Sequence, residues 1–283
     1  MIVRKRPSAL ALLYILRGSI VPTIAPRVLV IVIVSGLVAW AAPLRPDIFR
    51  GFSPAPLTLV GLALSIFLGF RNNSCYERWW EGRRQWGQLI AEAHGFARDA
   101  RALLSEPVAR AAGLRIIGFA EALRNQLRGL PAVEAPQAIL LAQAQTLAAL
   151  YRQGTISDVD YRLFSDRLQA ITNIQLACER LASTPLPFTY SLLVHRTSWL
   201  FCLFAPFGLV DTLGPLTPIA AAVLAYAFFG LDALGEELEQ PFDEHQNALP
   251  LNALCRTLER AVLGILGDVD LPPPMAPKNH LLL

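Results

Sequence analysis

Residues 61–70 read GLALSIFLGF. Leu62, Ile66 and Phe70 recur every four residues, so a helix would carry them on one face. Gly61, Ser65 and Gly69 repeat the same spacing on the adjoining face. Small residues in that pattern let two helix backbones approach closely. Neither stripe can attack, protonate or ligate anything. What the bulky stripe can do is exclude water: apolar collars around a common axis gate ions by dewetting. The four histidines, His94, His195, His245 and His280, are far apart in the chain and form no catalytic pattern. GxSxG, P-loop, GxGxxG and HExxH signatures are absent. An enzyme is therefore not expected, and neither is a cofactor. Cys75, Cys178, Cys202 and Cys255 show no CxxC pair or zinc spacing and read as free thiols.

One segment offers hard oxygen donors. Pro241-Phe242 is followed by Asp243, Glu244, His245, Gln246 and Asn247. Calcium takes six to eight oxygens, several of them carboxylate. Asp243 and Glu244 supply a thin set, so a weak divalent site is the most this stretch suggests. Glu236, Glu237 and Glu239 read as a solvated helix face. His195-Arg196 reads as an interfacial pair at the start of an apolar run.

The elements that position these residues are apolar. Hydrophobic types make up 54% of the 283 residues and charged types 17%, against about 25% charged in ordinary soluble domains. The mean hydropathy is +0.42. Uncharged runs cover Val28–Leu44, Gly51–Phe70, Thr197–Val210 and Thr212–Leu231. A helix needs roughly 20 apolar residues to cross the hydrocarbon layer. Four spans in two hairpins are expected, the third short unless Arg196 or Asp211 lies at an interface. A net charge of +3 is too small for a nucleic-acid footprint. Arg4, Lys5, Arg6, Arg17 and Arg27 precede the first span, and Arg71, Arg78, Arg83 and Arg84 follow the second. The turn at 211–217 carries no basic residue. That bias puts both termini and the middle of the chain in the cytosol. The five tryptophans lie near expected span ends, where amphipathic rings suit the headgroup layer.

The chain therefore divides into an N-terminal interfacial or cytosolic helix (1–27), a first transmembrane hairpin with the striped helix (28–75), and a cytosolic helical domain (76–190). A second transmembrane hairpin (191–235), a cytosolic C-terminal segment (236–270) and a proline-rich tail (271–283) follow. In the middle domain Trp86, Ile90, Ala93, Ala97 and Leu104 keep helical spacing. Ser157 with Asp160 reads as a capping box opening a helix near 158–182. Strand patterns are nearly absent.

Three stretches together resemble the bestrophins, the bacterial members above all. GFRNNSCYERWW (69–80) is similar to the family's pore-helix exit, STPLPFTY (183–190) to the turn before its third membrane helix, and EELEQPFDEHQNALPL (236–251) to the segment after the fourth. The likeness runs over about Ser8–Arg260, although the Arg-Phe-Pro tripeptide that once named the family is missing. The resemblance implies an all-α fold: four transmembrane helices per protomer, a large cytosolic helical domain, and a homopentamer around a central pore. It implies that Leu62, Ile66 and Phe70 form the neck, with Leu186 at a cytosolic constriction. Pro185 and Pro187 agree with that role, since they hold residue 186 out of helix. Eukaryotic members clasp calcium with a dense acidic run after Pro-Phe; this chain lacks it, so calcium-independent gating is expected. The expected function is an inner-membrane channel for monovalent ions. Its partners are identical subunits, membrane lipid and the ions themselves, with no nucleic acid. Anion selectivity is favoured by the family's eukaryotic members and by the arginine-rich middle domain. The alternatives are monovalent-cation selectivity, known among bacterial relatives, or a non-conducting scaffold or carrier.

Overall fold

A computed structural model describes residues 1–2, 15, 18–49, 55–278 and 280–282, with the side chain of residue 48 left aside. Among them the fold is all-helical: α1 Val21–Ala41, α2 Pro46–Phe49, α3 Ala55–Leu103, α4 Glu106–Leu127, α5 Pro136–Arg152, α6 Asp158–Ser183, α7 Phe188–Leu213, α8 Thr217–Glu239 and α9 Leu251–Leu266. A 3-10 turn, Gly214–Leu216, joins α7 to α8. No extended strand occurs among the described residues, only the isolated bridges Ile2 to Leu281 and Lys278 to Leu281. Of the N-terminal helix expected over 1–27, residues 3–14 and 16–17 lie outside the described residues and 21–27 belong to α1; the start of the second apolar run at 51–54 is also outside them.

Two compact units emerge. The first takes Met1–Arg4, Arg78–Thr184 and Gln240–Leu283. Here α4 packs on α9 and α5, and α5 on α6, around Trp86, Phe96, Phe119 and Phe164, all fully buried. Trp86 is thus a core residue and not a headgroup ring. Its indole lies on the buried side of an amphipathic helix, where large aromatic area contributes most. Local chemistry sets the helix ends. Ser157 and Asp160 form the reciprocal capping box: the Asp160 N–H donates to Ser157 Oγ and the Ser157 N–H to Asp160 Oδ2. Gly267 closes α9 with φ of 98°, a conformation that favours glycine.

The second unit takes Lys5–Glu77 and Pro185–Glu239. In it α1, α7 and α8 pack against one another, with Ile24, Ile31, Leu64, Leu68, Val194, Phe201, Ala225 and Phe229 in the core. Three helical stretches among the described residues are long and apolar enough to cross a membrane: Val21–Ala41, Ala55–Leu103 and Phe188–Glu239, the last interrupted by the 3-10 turn. Two of these elements outrun the uncharged runs. α7 starts at Phe188 and is 26 residues long. It tolerates polar residues because hydroxyls bond back to its own carbonyls, as Thr197 Oγ1 does to Leu193 and Ser198 Oγ to Val194. α3 continues through the polar 71–77 stretch without a break.

Candidate functional site

The first turns of α3 present two unlike faces. Gly61, Leu64, Leu68, Arg71 and Cys75 are buried, at steps of three and four. On the other side Leu62, Ile66 and Phe70 are 61%, 51% and 65% exposed. The small-residue stripe divides. A Cβ on Gly61 would come 2.9 Å from the Phe201 ring, so this glycine serves packing within the chain. Ser65 Oγ donates to the Gly61 carbonyl at 2.8 Å. A Cβ on Gly69 would meet nothing within 4 Å.

Directly after Phe70 comes a buried ion cluster. Arg71 Nη1 donates to Asp232 Oδ1 at 2.7 Å, and Arg71 Nη2 lies 3.5 Å from Glu239 Oε2. His195 Nδ1 is 2.7 Å from Asp232 Oδ2 and 4.0 Å from Glu236 Oε1. Arg27 Nη1 approaches the same Oδ2 at 3.7 Å. Asp232 is fully buried. Charges taken out of water are tolerated only when paired and hydrogen-bonded, and here α1, α3, α7 and α8 each bring one member or more. Gly235 makes room for the cluster: a Cβ there would lie 2.5 Å from Asn72 Oδ1 and 3.5 Å from Arg71 Nη1. In the sequence Arg71 and Asp232 simply border two uncharged runs, and Glu236 and Glu239 fit a solvated helix face. The signal available was that an ionisable residue flush against a membrane-length run needs a partner.

Leu186 lies in the non-helical Thr184–Pro187 link and is half-buried. Its N–H donates to Glu239 Oε1 at 3.0 Å, so the carboxylate that faces Arg71 also holds this segment. Nearby, Tyr190 donates from its hydroxyl to the Phe67 carbonyl at 3.0 Å.

In the other unit, Asp243 and Glu244 are exposed residues of the turn after α8. Arg128 fills the inner side of that turn. Its Nη1 donates to Glu244 Oε1 and Asn252 Oδ1, each at 3.0 Å, and its Nε to the Phe242 carbonyl at 3.2 Å. Burial pulls the Arg128 pKa down, with Glu244 acting against that shift. A protein cation thus engages one of the two carboxylates and the adjacent carbonyl. Among the described residues, the group with ligand atoms close enough for a metal ion is His195, Asp232 and Glu236.

Comparison with known proteins adds lineage to this geometry. The chain matches the model of the bacterial/fungal bestrophin proteins over residues 1–135 and 130–264. It is 42% identical to a voltage-dependent anion channel-forming protein of Mesorhizobium japonicum, mll4386, over 98% of this chain and 95% of that one. It is 35% identical to the Escherichia coli voltage-dependent anion channel-forming protein YneE over the full length of both. Among solved structures, a bacterial bestrophin homologue from Klebsiella pneumoniae is similar, with a TM-score of 0.84, 33% identity and coverage of 87% of this chain and 100% of that one. With a family match across most of its length and relatives this similar, the chain belongs to the bacterial/fungal bestrophin family.

Proposed function

We propose that this chain is one subunit of a homopentameric ion channel of the inner membrane. α1, α3, α7 and α8 are its four crossings, and both termini are cytosolic. The carrying observation is the Leu62, Ile66 and Phe70 stripe, which is apolar, in register and more than half exposed in the single chain. Facing an axis shared by five copies, it makes three apolar collars that hold back water and ions until the ring widens. Gly69, where a Cβ would meet nothing within 4 Å, and the small exposed Ser65 leave space for the neighbouring α3. Leu186, held at a fixed point by its prolines and by Glu239, forms the second, cytosolic constriction.

The permeant species are monovalent ions, anions by preference. The names of the Mesorhizobium and Escherichia relatives, anion channel-forming proteins, support that sign. Calcium does not control the channel. This reading is supported by Arg128, whose guanidinium already engages the Phe242 carbonyl, Glu244 and Asn252.

Purified protein in a planar bilayer tests both pore and sign. Leu62→Ala, Ile66→Ala and Phe70→Ala combined should raise the current severalfold. The reversal potential in a chloride salt gradient should follow the anion. A reversal at the cation potential would keep the pore and reverse the selectivity. Silence from both wild type and triple variant would point to a scaffold.

A further inference from the structure

His195, Asp232 and Glu236 form a set that the channel reading leaves unused. His195 stands on α7, and Asp232 and Glu236 are one turn apart on α8, so both carboxylates share the face that meets the histidine. One nitrogen and two oxygens lie within 4.8 Å of one another. Arg71 Nη1 donates to Asp232 Oδ1 and to the Asp232 carbonyl, and Oδ2 is turned to the histidine. The Glu236 carboxylate is 47% exposed, and its one close ionic approach among the described residues is to His195 at 4.0 Å.

Three carboxylates, Asp232, Glu236 and Glu239, gather here, and His195 rather than an arginine approaches Glu236. Arg27 is the looser cation. Its Nη1 is buried without a hydrogen bond, 3.7 Å from Oδ2, while its side chain is 26% exposed. When Arg27 swings out, Asp232 Oδ2 is open to an entering divalent ion.

We propose that His195 Nδ1, Asp232 Oδ2 and Glu236 Oε1 bind a divalent transition-metal cation of the zinc type, displacing Arg27 and clamping α7 to α8. One imidazole with two carboxylates suits such an ion, at ligand distances of about 2.0–2.2 Å. A tetrahedral site would leave the fourth position to water. The exposed Glu236 side chain supplies the movement needed to close the set. With the metal on Nδ1, the ring N–H stands on Nε2.

Metal-stripped protein in detergent, titrated with zinc chloride by calorimetry, tests this without reference to conductance. One ion per chain is expected. His195→Ala and Glu236→Gln should each weaken binding at least about tenfold, and Arg27→Gln should tighten it. Glu236 is exposed, so its variant keeps the fold. Cobalt(II) in place of zinc should give a tetrahedral visible band that disappears in His195→Ala. The proposal is overturned if zinc shows no saturable binding, or if both ligand variants keep wild-type affinity. It is equally overturned if binding is lost only on changing Asp243 and Glu244 together.

Discussion

Arg71 and Asp232, 161 residues apart in the chain, meet through a 2.7 Å hydrogen bond with side chains 2% and 0% exposed. Breaking a buried pair on one side strands the other charge, at a cost of about 3–5 kcal/mol, whereas replacing both partners by apolar residues is often tolerated. Arg71→Met should therefore lower the unfolding temperature of the detergent-purified protein sharply. Arg71→Met with Asp232→Leu should recover part of the loss, since Arg27 and His195 give up the same carboxylate. Equal loss in the single and double variants would show that the pair itself is not what stabilises this region.

Gly235→Ala should disrupt the same cluster from a different side. The added methyl would lie 2.5 Å from Asn72 Oδ1, and overpacking of this kind costs about 1–3 kcal/mol. Gly36→Ala is the matched control, because its Cβ meets nothing within 4 Å. Thermal unfolding should separate the two, with Gly36→Ala unchanged or slightly stabilised.

Burial pushes the Cys178 and Cys255 thiols up to about 12. The thiolate is the reactive form, so at neutral pH the folded chain should resist maleimide at these two positions. A Cys75→Ala, Cys202→Ala protein isolates them. Mass spectrometry should find it unlabelled when native and doubly labelled in denaturant.

The Ser157 capping bonds hold the Asp160 carboxyl below its ordinary range. The folded pKa is depressed, so the contribution is complete above the unfolded value of about 3.9 and fades as pH falls through the folded one. Melting temperatures measured from pH 6 down to pH 3 should fall less steeply in Ser157→Ala than in wild type over the acid end. The variant should already be less stable at pH 6.

Periodicity carried much of this structure. The four-residue spacing of Leu62, Ile66 and Phe70 is a local property of one helix, and the capping box at Ser157 is a contact three residues long. Pro185 and Pro187 dictate a break whatever surrounds them. By contrast, His195, Asp232 and Arg71 come from three helices, and no local rule pairs them. Trp86 shows a second limit. Its spacing fits a core helix and its type fits a membrane margin, and only the packing of Phe96, Phe119 and Phe164 in the same core decides between them. Gly61 shows a third, since a small residue marks close approach without saying to which helix. Here the partner is Phe201 of the same chain.

Glu239 accepts the Leu186 amide and faces the Arg71 guanidinium beside Phe70. A carboxylate that holds both cannot shift toward one without loosening its grip on the other. Any free energy sent through it from α3 to the Leu186 link must return in equal measure along the reverse route. A lever fitted at either end would then report on its opposite, and Glu239→Gln, which keeps the shape but drops the charge, is where that reciprocity would be severed.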